Sequence, residues 1–163
     1  MTPVVSPADL IARLRSLGST VGVAESLTGG LVVARLVQVP GASGAVRGGV
    51  VSYATDVKAS ILGVDAELLA AGGAVQARVA IQMASGARRV LGATYGLATT
   101  GVAGPTEQDG QPVGRAFIAV DGPAGVQIRQ LDLIGDRDAI REGCTCAVLE
   151  LLSQVLESAA AVD

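Results

Sequence analysis

Lys58 is the only lysine in this chain; the other 11 basic residues are arginine, and histidine is absent. Arginine keeps its proton at any physiological pH. Lys58 is therefore the one cationic side chain able to give up its proton and act as a base, and histidine-based catalysis is excluded. It sits just past a strand end, in Ser52-Tyr53-Ala54-Thr55-Asp56-Val57-Lys58, close to a helix start. A cation near the positive end of a helix dipole is disfavoured in its charged form, so a lowered pKa is expected. The bland alternative is one lysine left over by an arginine-favouring composition.

Three further segments carry residues with chemical potential. Glu25-Ser26-Leu27-Thr28-Gly29-Gly30 lies between a strand and a helix. Its glycines allow a sharp turn, and free N–H groups at a helix start favour an anion or a developing oxyanion. Equally, Ser26 or Thr28 could be an ordinary helix cap, and Glu25 either a charge partner or a catalytic carboxylate. Thr99-Thr100-Gly101-Val102-Ala103-Gly104-Pro105 ends another strand with small residues that could admit a phosphate or sugar, although glycine-rich turns after strands are common. Gly135-Asp136-Arg137-Asp138-Ala139-Ile140-Arg141 opens the last helix. Asp136 as cap and Asp138 with Arg141 at helical spacing account for most of it. Arg137 fits less well, because a cation in the first turn opposes the dipole; it is a candidate for binding a ligand anion.

These segments need elements to position them. Ser6-Pro7-Ala8-Asp9 reads as a helix start, with Leu10, Ile11, Leu14 and Leu17 on one face and Gly18 at its end. A buried strand follows over 20–24, then a helix over 31–39 stopped by Pro40-Gly41. A strand over 46–53 leads to a short helix, capped by Thr55 or Asp56, that carries Lys58 to Gly63. Asp65 starts another short helix, and 76–91 gives a longer one with Val79, Met83, Ala87 and Val90 on a face. Strands are expected over 95–100, 115–120 and 126–133. The last two are joined by Asp121-Gly122-Pro123-Ala124-Gly125, short enough for an antiparallel hairpin. This is an α/β layered domain with a mixed sheet, one unit over 1–163.

Composition narrows the function classes. Half of the residues are hydrophobic and 17% are charged, which fits a folded core and not a disordered chain. Aromatics are 2% and the net charge is −3, so neither stacking platforms nor a basic stripe for nucleic acid is present. No apolar run is long enough to span a membrane and no signal-peptide pattern is seen, so a cytoplasmic location is expected. Cys144 and Cys146 suit neither a local disulfide nor, without histidine, a zinc site, and read as small core residues.

Taken together the motifs resemble one family, the carboxy-terminal domain of the competence and damage-inducible CinA proteins, whose stand-alone members include nicotinamide mononucleotide deamidase. The resemblance runs over nearly the whole chain: AESLTGG at 24–30, VVSYATDVKASILGV at 50–64, GAVQARVAIQMASGA at 73–87, TTGVAGP at 99–105, then QPVGRAFIA and GDRDAIR. The sequence departs from the usual pattern at Leu27, at Gln76 and Ala77, and in the loop 106–110. The resemblance implies a three-layer α/β/α sandwich and hydrolysis of the carboxamide of nicotinamide mononucleotide to nicotinate mononucleotide and ammonia. It implies Ser26 as nucleophile, Lys58 as its base and Tyr53 as a hydroxyl that relays or orients the proton. N–H groups over 27–30 would hold the oxyanion. Glu25, Thr28, Gly29, Gly30, Thr100, Gly101, Gly104, Arg137 and Arg141 would bind substrate, with ribose and phosphate near Thr100 to Gly104 and one of the arginines. No metal or other cofactor is implied. The expected partners are a small-molecule nucleotide and further copies of the chain, with neither nucleic acid nor membrane. The alternative is a non-catalytic nucleotide-binding or regulatory module, which would have no need of a titratable lysine beside a serine.

Overall fold

The structure, a computed structural model, describes residues 5–161; the ends of the expected 1–163 unit lie outside the described residues. Helix α1 (Pro7–Ser16) is capped by Ser6, whose hydroxyl accepts from the Asp9 N–H. Strand β1 (Val21–Glu25) is buried along its whole length, which is why residues 21–24 read as an unbroken apolar run. After it come α2 (Leu31–Val37), a 3-10 turn at Ala42–Gly44 and β2 (Val46–Val51). Then follow α3 (Thr55–Leu62), α4 (Ala66–Gly72), α5 (Ala77–Val90) and β3 (Tyr95–Gly101). The chain ends with β4 (Arg115–Gly122), β5 (Gly125–Asp132) and α6 (Arg137–Ala160).

The five strands form one mixed sheet in the order β2-β1-β3-β4-β5. Strands β2, β1 and β3 run parallel, whereas β3, β4 and β5 are successively antiparallel. Helices cover both faces, as expected for an α/β/α sandwich. One core joins Leu10, Leu14, Val32, Leu36, Val148 and Leu152 of α1, α2 and α6 to Val23, Leu97 and Ile118 of the sheet. The other joins Leu62, Val79 and Met83 of α3 and α5 to Ala98, Phe117 and Ala119. With few aromatic side chains to fill space, layers close up by bringing backbones together. A Cβ at Gly96 would lie 2.0 Å from the Ala84 carbonyl oxygen, and one at Gly86 would lie 2.2 Å from that of Leu62. These glycines let α5 press against β3 and α3.

Some local expectations change. Thr55 and Asp56 lie inside α3; its N-cap is Ala54, with no side-chain cap bond. The hairpin is tighter than the five-residue link suggests, since Gly122 pairs with Gly125 and only Pro123 and Ala124 turn the chain. Val90 is exposed, because α5 ends there, one turn beyond the buried face of Val79, Met83 and Ala87. Cys144 is buried and Cys146 partly so, both as free thiols. No helix among the described residues is long and apolar enough to cross a membrane.

Candidate active site

The parallel strands deliver their carboxyl ends to one edge of the sheet. The chain leaves β1 towards β2 on one side and leaves β3 towards β4 on the other, so the crevice between them is a topological switch point, the usual place for a ligand in an open α/β sheet. Ser26 stands at that crevice, directly after β1, with its N–H donating to the Thr99 carbonyl 3.0 Å away on β3.

The turn that presents Ser26 is organised around the preceding residue. Glu25 is completely buried. Its carboxylate accepts from the Thr28 hydroxyl at 2.6 Å, from the Gly30 and Val32 N–H groups at 3.1 and 3.0 Å, and from the Val33 N–H at 3.1 Å. An acid five to eight residues upstream thus supplies the cap that the N-cap residue Gly30 cannot. Gly29 and Gly30 both have positive φ, 58° and 107°, which bends the chain back over the carboxylate. Neither reading of Glu25 from the sequence anticipated this: among the described residues it pairs with no base, and it does not line the crevice. Thr28 is likewise inward, bonded to Glu25 and to the Thr99 hydroxyl.

Arg141 braces the same turn from α6. Its Nε donates to the Leu27 carbonyl at 2.9 Å and a terminal nitrogen to the Thr28 carbonyl at 3.2 Å. The Gly29 N–H donates to the Ser26 carbonyl and the Gly30 N–H to Glu25, so the expected oxyanion donors at 29 and 30 are already used. The N–H groups of Leu27 and Thr28 donate no hydrogen bond among the described residues. In a trans peptide the N–H points opposite to its carbonyl, so holding the carbonyls of Ser26 and Leu27 fixes the direction of these two donors.

Lys58, in the second turn of α3, is 1% exposed. Its Nζ lies 3.0 Å from Ser26 Oγ, 2.7 Å from the Ser52 carbonyl oxygen and 3.5 Å from that of Tyr53. Burial pushes its pKa down from 10.5 to about 8. The lowering expected from the helix dipole is thus produced by loss of water around the ammonium group. No acid forms a salt bridge with Lys58 among the described residues. Once neutral, the amine can donate to the two carbonyls and turn its lone pair to the Ser26 hydroxyl.

A cavity of about 340 Å³ opens over this pair, within the range of small-molecule sites. Of the residues singled out in the sequence, Ser26, Tyr53, Lys58, Thr100, Gly101, Gly104 and Arg137 line it, whereas Glu25, Thr28, Gly29, Gly30 and Arg141 do not. Tyr53 is 63% exposed, and its hydroxyl accepts from Arg137 at 3.0 Å. Among the described residues the Tyr53 hydroxyl makes no hydrogen bond to Ser26 or Lys58. Arg137 also donates to the Gly104 carbonyl at 2.6 Å, so the awkward first-turn cation bridges the cavity rim. The Thr100 hydroxyl is spent on the Ala74 carbonyl, at 2.8 Å.

The wall formed by 106–111 was legible only as a polar loop. Asp109, at φ 52°, and Gly110, at φ 74°, make a two-residue turn between the mutually bonded Gln108 and Gln111. The Asp109 carboxylate accepts from the Ala74 N–H at 3.3 Å, tying this small hairpin to the connection between α4 and α5. The Asp-Gly pair was the available signal. Glu107, Gln108, Ala74 and Val75 join the lining without any sequence mark of their own.

The family model described as the CinA C-terminal domain matches residues 6–156. A CinA-like protein of Frankia casuarinae is 57% identical over 147 residues, covering 90% of this chain and 34% of the relative. One from Geobacter sulfurreducens is 43% identical, covering 91% of this chain and 37% of the relative. The chain therefore spans about a third of the length of these relatives. Among solved structures, a CinA superfamily protein from Klebsiella pneumoniae superposes with a TM-score of 0.89 at 27% identity, covering 93% of this chain and 96% of that one. The competence/damage inducible protein CihA from Agrobacterium tumefaciens gives 0.85 at 34% identity, covering 94% and 96%.

Proposed function

The chain belongs to the family of CinA C-terminal domains, and from that membership we propose that it is an amidohydrolase that converts nicotinamide mononucleotide to nicotinate mononucleotide and ammonia. The observation that carries the reading is the contact of Lys58 Nζ with Ser26 Oγ, 3.0 Å, in a buried setting that lowers the lysine pKa to about 8. A serine hydroxyl attacks a carboxamide only when a base takes its proton, and a desolvated lysine is such a base.

Ser26 Oγ adds to the amide carbon as its proton passes to Lys58 Nζ, and the tetrahedral oxygen is stabilised by the Leu27 N–H. Collapse expels ammonia, which takes the proton back from Lys58, and leaves an acyl-serine. Water then attacks the ester, giving one proton to Lys58, which passes it to the Ser26 oxygen as the ester bond breaks; the acid released gives its remaining proton to solvent and leaves as the carboxylate. Arg137 takes the phosphate together with the N–H groups of Ala103 and Gly104, which donate no hydrogen bond among the described residues; Tyr53 acts through Arg137, holding its guanidinium at the rim. The chain works as one cytoplasmic domain, with no metal or organic cofactor.

The test is ammonia release from nicotinamide mononucleotide by the purified chain, with glutamine, asparagine and free nicotinamide as comparisons. Release from the mononucleotide alone supports the reading. Binding of the nucleotide without ammonia would assign the chain instead as a non-catalytic nucleotide-binding or regulatory module.

A further inference from the structure

The cavity over Ser26 carries an acid that the chemistry above does not use. Among the described residues Glu107 is the one acidic side chain in its lining, which also holds the cations Lys58 and Arg137. Arg137 is tied to the Gly104 carbonyl and the Tyr53 hydroxyl, at the start of the same loop that carries Glu107. Yet the two do not pair: no salt bridge among the described residues involves Glu107, Arg137 or Lys58. Glu107 also falls in the loop 106–110, where the sequence departs from the usual family pattern.

The loop that presents Glu107 is held by its neighbours. Gln108 and Gln111 bond to each other through their backbones, Asp109 accepts from the Ala74 N–H at 3.3 Å, and Arg115 donates to the Gln111 side chain at 3.2 Å. Glu107 itself is exposed, so it takes no part in packing. With Lys58 neutral in its working form, the lining has one fixed positive group and one fixed negative group, each left for a ligand. A purely anionic ligand would meet Arg137 favourably and be repelled by Glu107. A ligand with an anion at one end and a cation at the other satisfies both.

Resting on the nucleotide reading above, we propose that Glu107 is a specificity-determining residue that selects a ring bearing a fixed positive charge, an N-ribosylated pyridinium, over a neutral ring of the same shape. In such a nucleotide the ribose separates the ring cation from the phosphate, as Glu107 and Arg137 are separated in the lining. The ring keeps its charge while the carboxamide is attacked, so the contact is equally present before and during the reaction. It therefore adds to affinity and not to the chemical step. Because Glu107 is exposed, its effect is modest and weakens as salt is raised.

Titration calorimetry tests it with two probes, nicotinamide mononucleotide and its reduced 1,4-dihydro form, which has the same carboxamide, ribose and phosphate on an uncharged ring. A Ser26→Ala background keeps both from turning over. The ratio of the two affinities is the readout, since it cancels the phosphate contacts. Glu107→Gln should weaken the oxidised form by about two- to fivefold at low salt and leave the reduced form as tight or slightly tighter, and Glu107→Asp should keep part of the preference. A ratio unmoved by Glu107→Gln overturns the proposal, as does an equal loss for both forms, which marks a structural role. Ammonia release by the unaltered chain reports separately on the hydrolase reading. A shifted ratio without ammonia sinks that reading and upholds Glu107 as the selector; ammonia with an unmoved ratio does the reverse. If neither nucleotide binds, both fall.

Discussion

A lysine 3.0 Å from a serine hydroxyl is useful as a base only in the fraction of molecules where it has lost its proton. With the Lys58 pKa lowered to about 8, turnover should rise with pH through that value and level off above it, read as kcat/KM against pH. The same shift is a stability term. A folded pKa below the unfolded 10.5 means that the stabilisation is fully present only above 10.5 and is lost as pH falls through about 8, a difference of about 3 kcal/mol. Lys58→Met should abolish that pH dependence in urea titrations. It should also lower turnover by roughly 10²–10⁴-fold without lowering the melting temperature at pH 7, since a buried charge is removed along with its hydrogen bonds. The two arginines should separate kinetically. Arg137 lines the cavity, and Arg137→Ala should raise KM by about 10–100-fold for the nucleotide but not for its dephosphorylated riboside. Arg141 grips the carbonyls behind the turn, and Arg141→Ala should lower kcat with KM nearly kept. Lys58 and Ser26 stood out in the sequence because their types are scarce or specially placed. The job of Glu25 did not, because nothing local says that a carboxylate will fold back onto N–H groups five to eight residues ahead.

Elements were read most truly where a cap announces them. Ser6, Asp65 and Asp136 each accept a helix N–H and mark the starts of α1, α4 and α6. α3 and α5 have no side-chain cap, and their starts are set by where the strand ahead and the packing below leave the chain. The close contact of α5 with α3 at Gly86 is the element-level support of Lys58, because the Leu62 carbonyl it touches closes the helix that carries the lysine. Gly86→Ala would set a methyl group against that backbone oxygen, an overlap that a helix end can relieve only by moving. It should cost about 1–3 kcal/mol, seen as a lower urea midpoint, and reduce turnover in the fully folded protein.

At the scale of the molecule, Ser26, Lys58, Gly101 and Arg137 meet only because three parallel strands end together and α6 returns over them. The alternation of strands and helices made the layered α/β class legible, but the strand order β2-β1-β3-β4-β5 depends on contacts between distant segments and is not encoded in any one of them. Leu152, fully buried beneath the sheet, holds α6 in that arrangement; Leu152→Ala should cost about 2–5 kcal/mol and lower the melting temperature without moving the pH profile. The seclusion of Lys58 has a practical side as well. The peptide bond after it is the only one in the chain that a lysine-specific endopeptidase can cleave, and it lies inside α3 with its side chain buried. The native protein should therefore resist that enzyme, and digestion into the pieces 1–58 and 59–163 should proceed only as fast as molecules open. The appearance of two gel bands then becomes a clock for the open population.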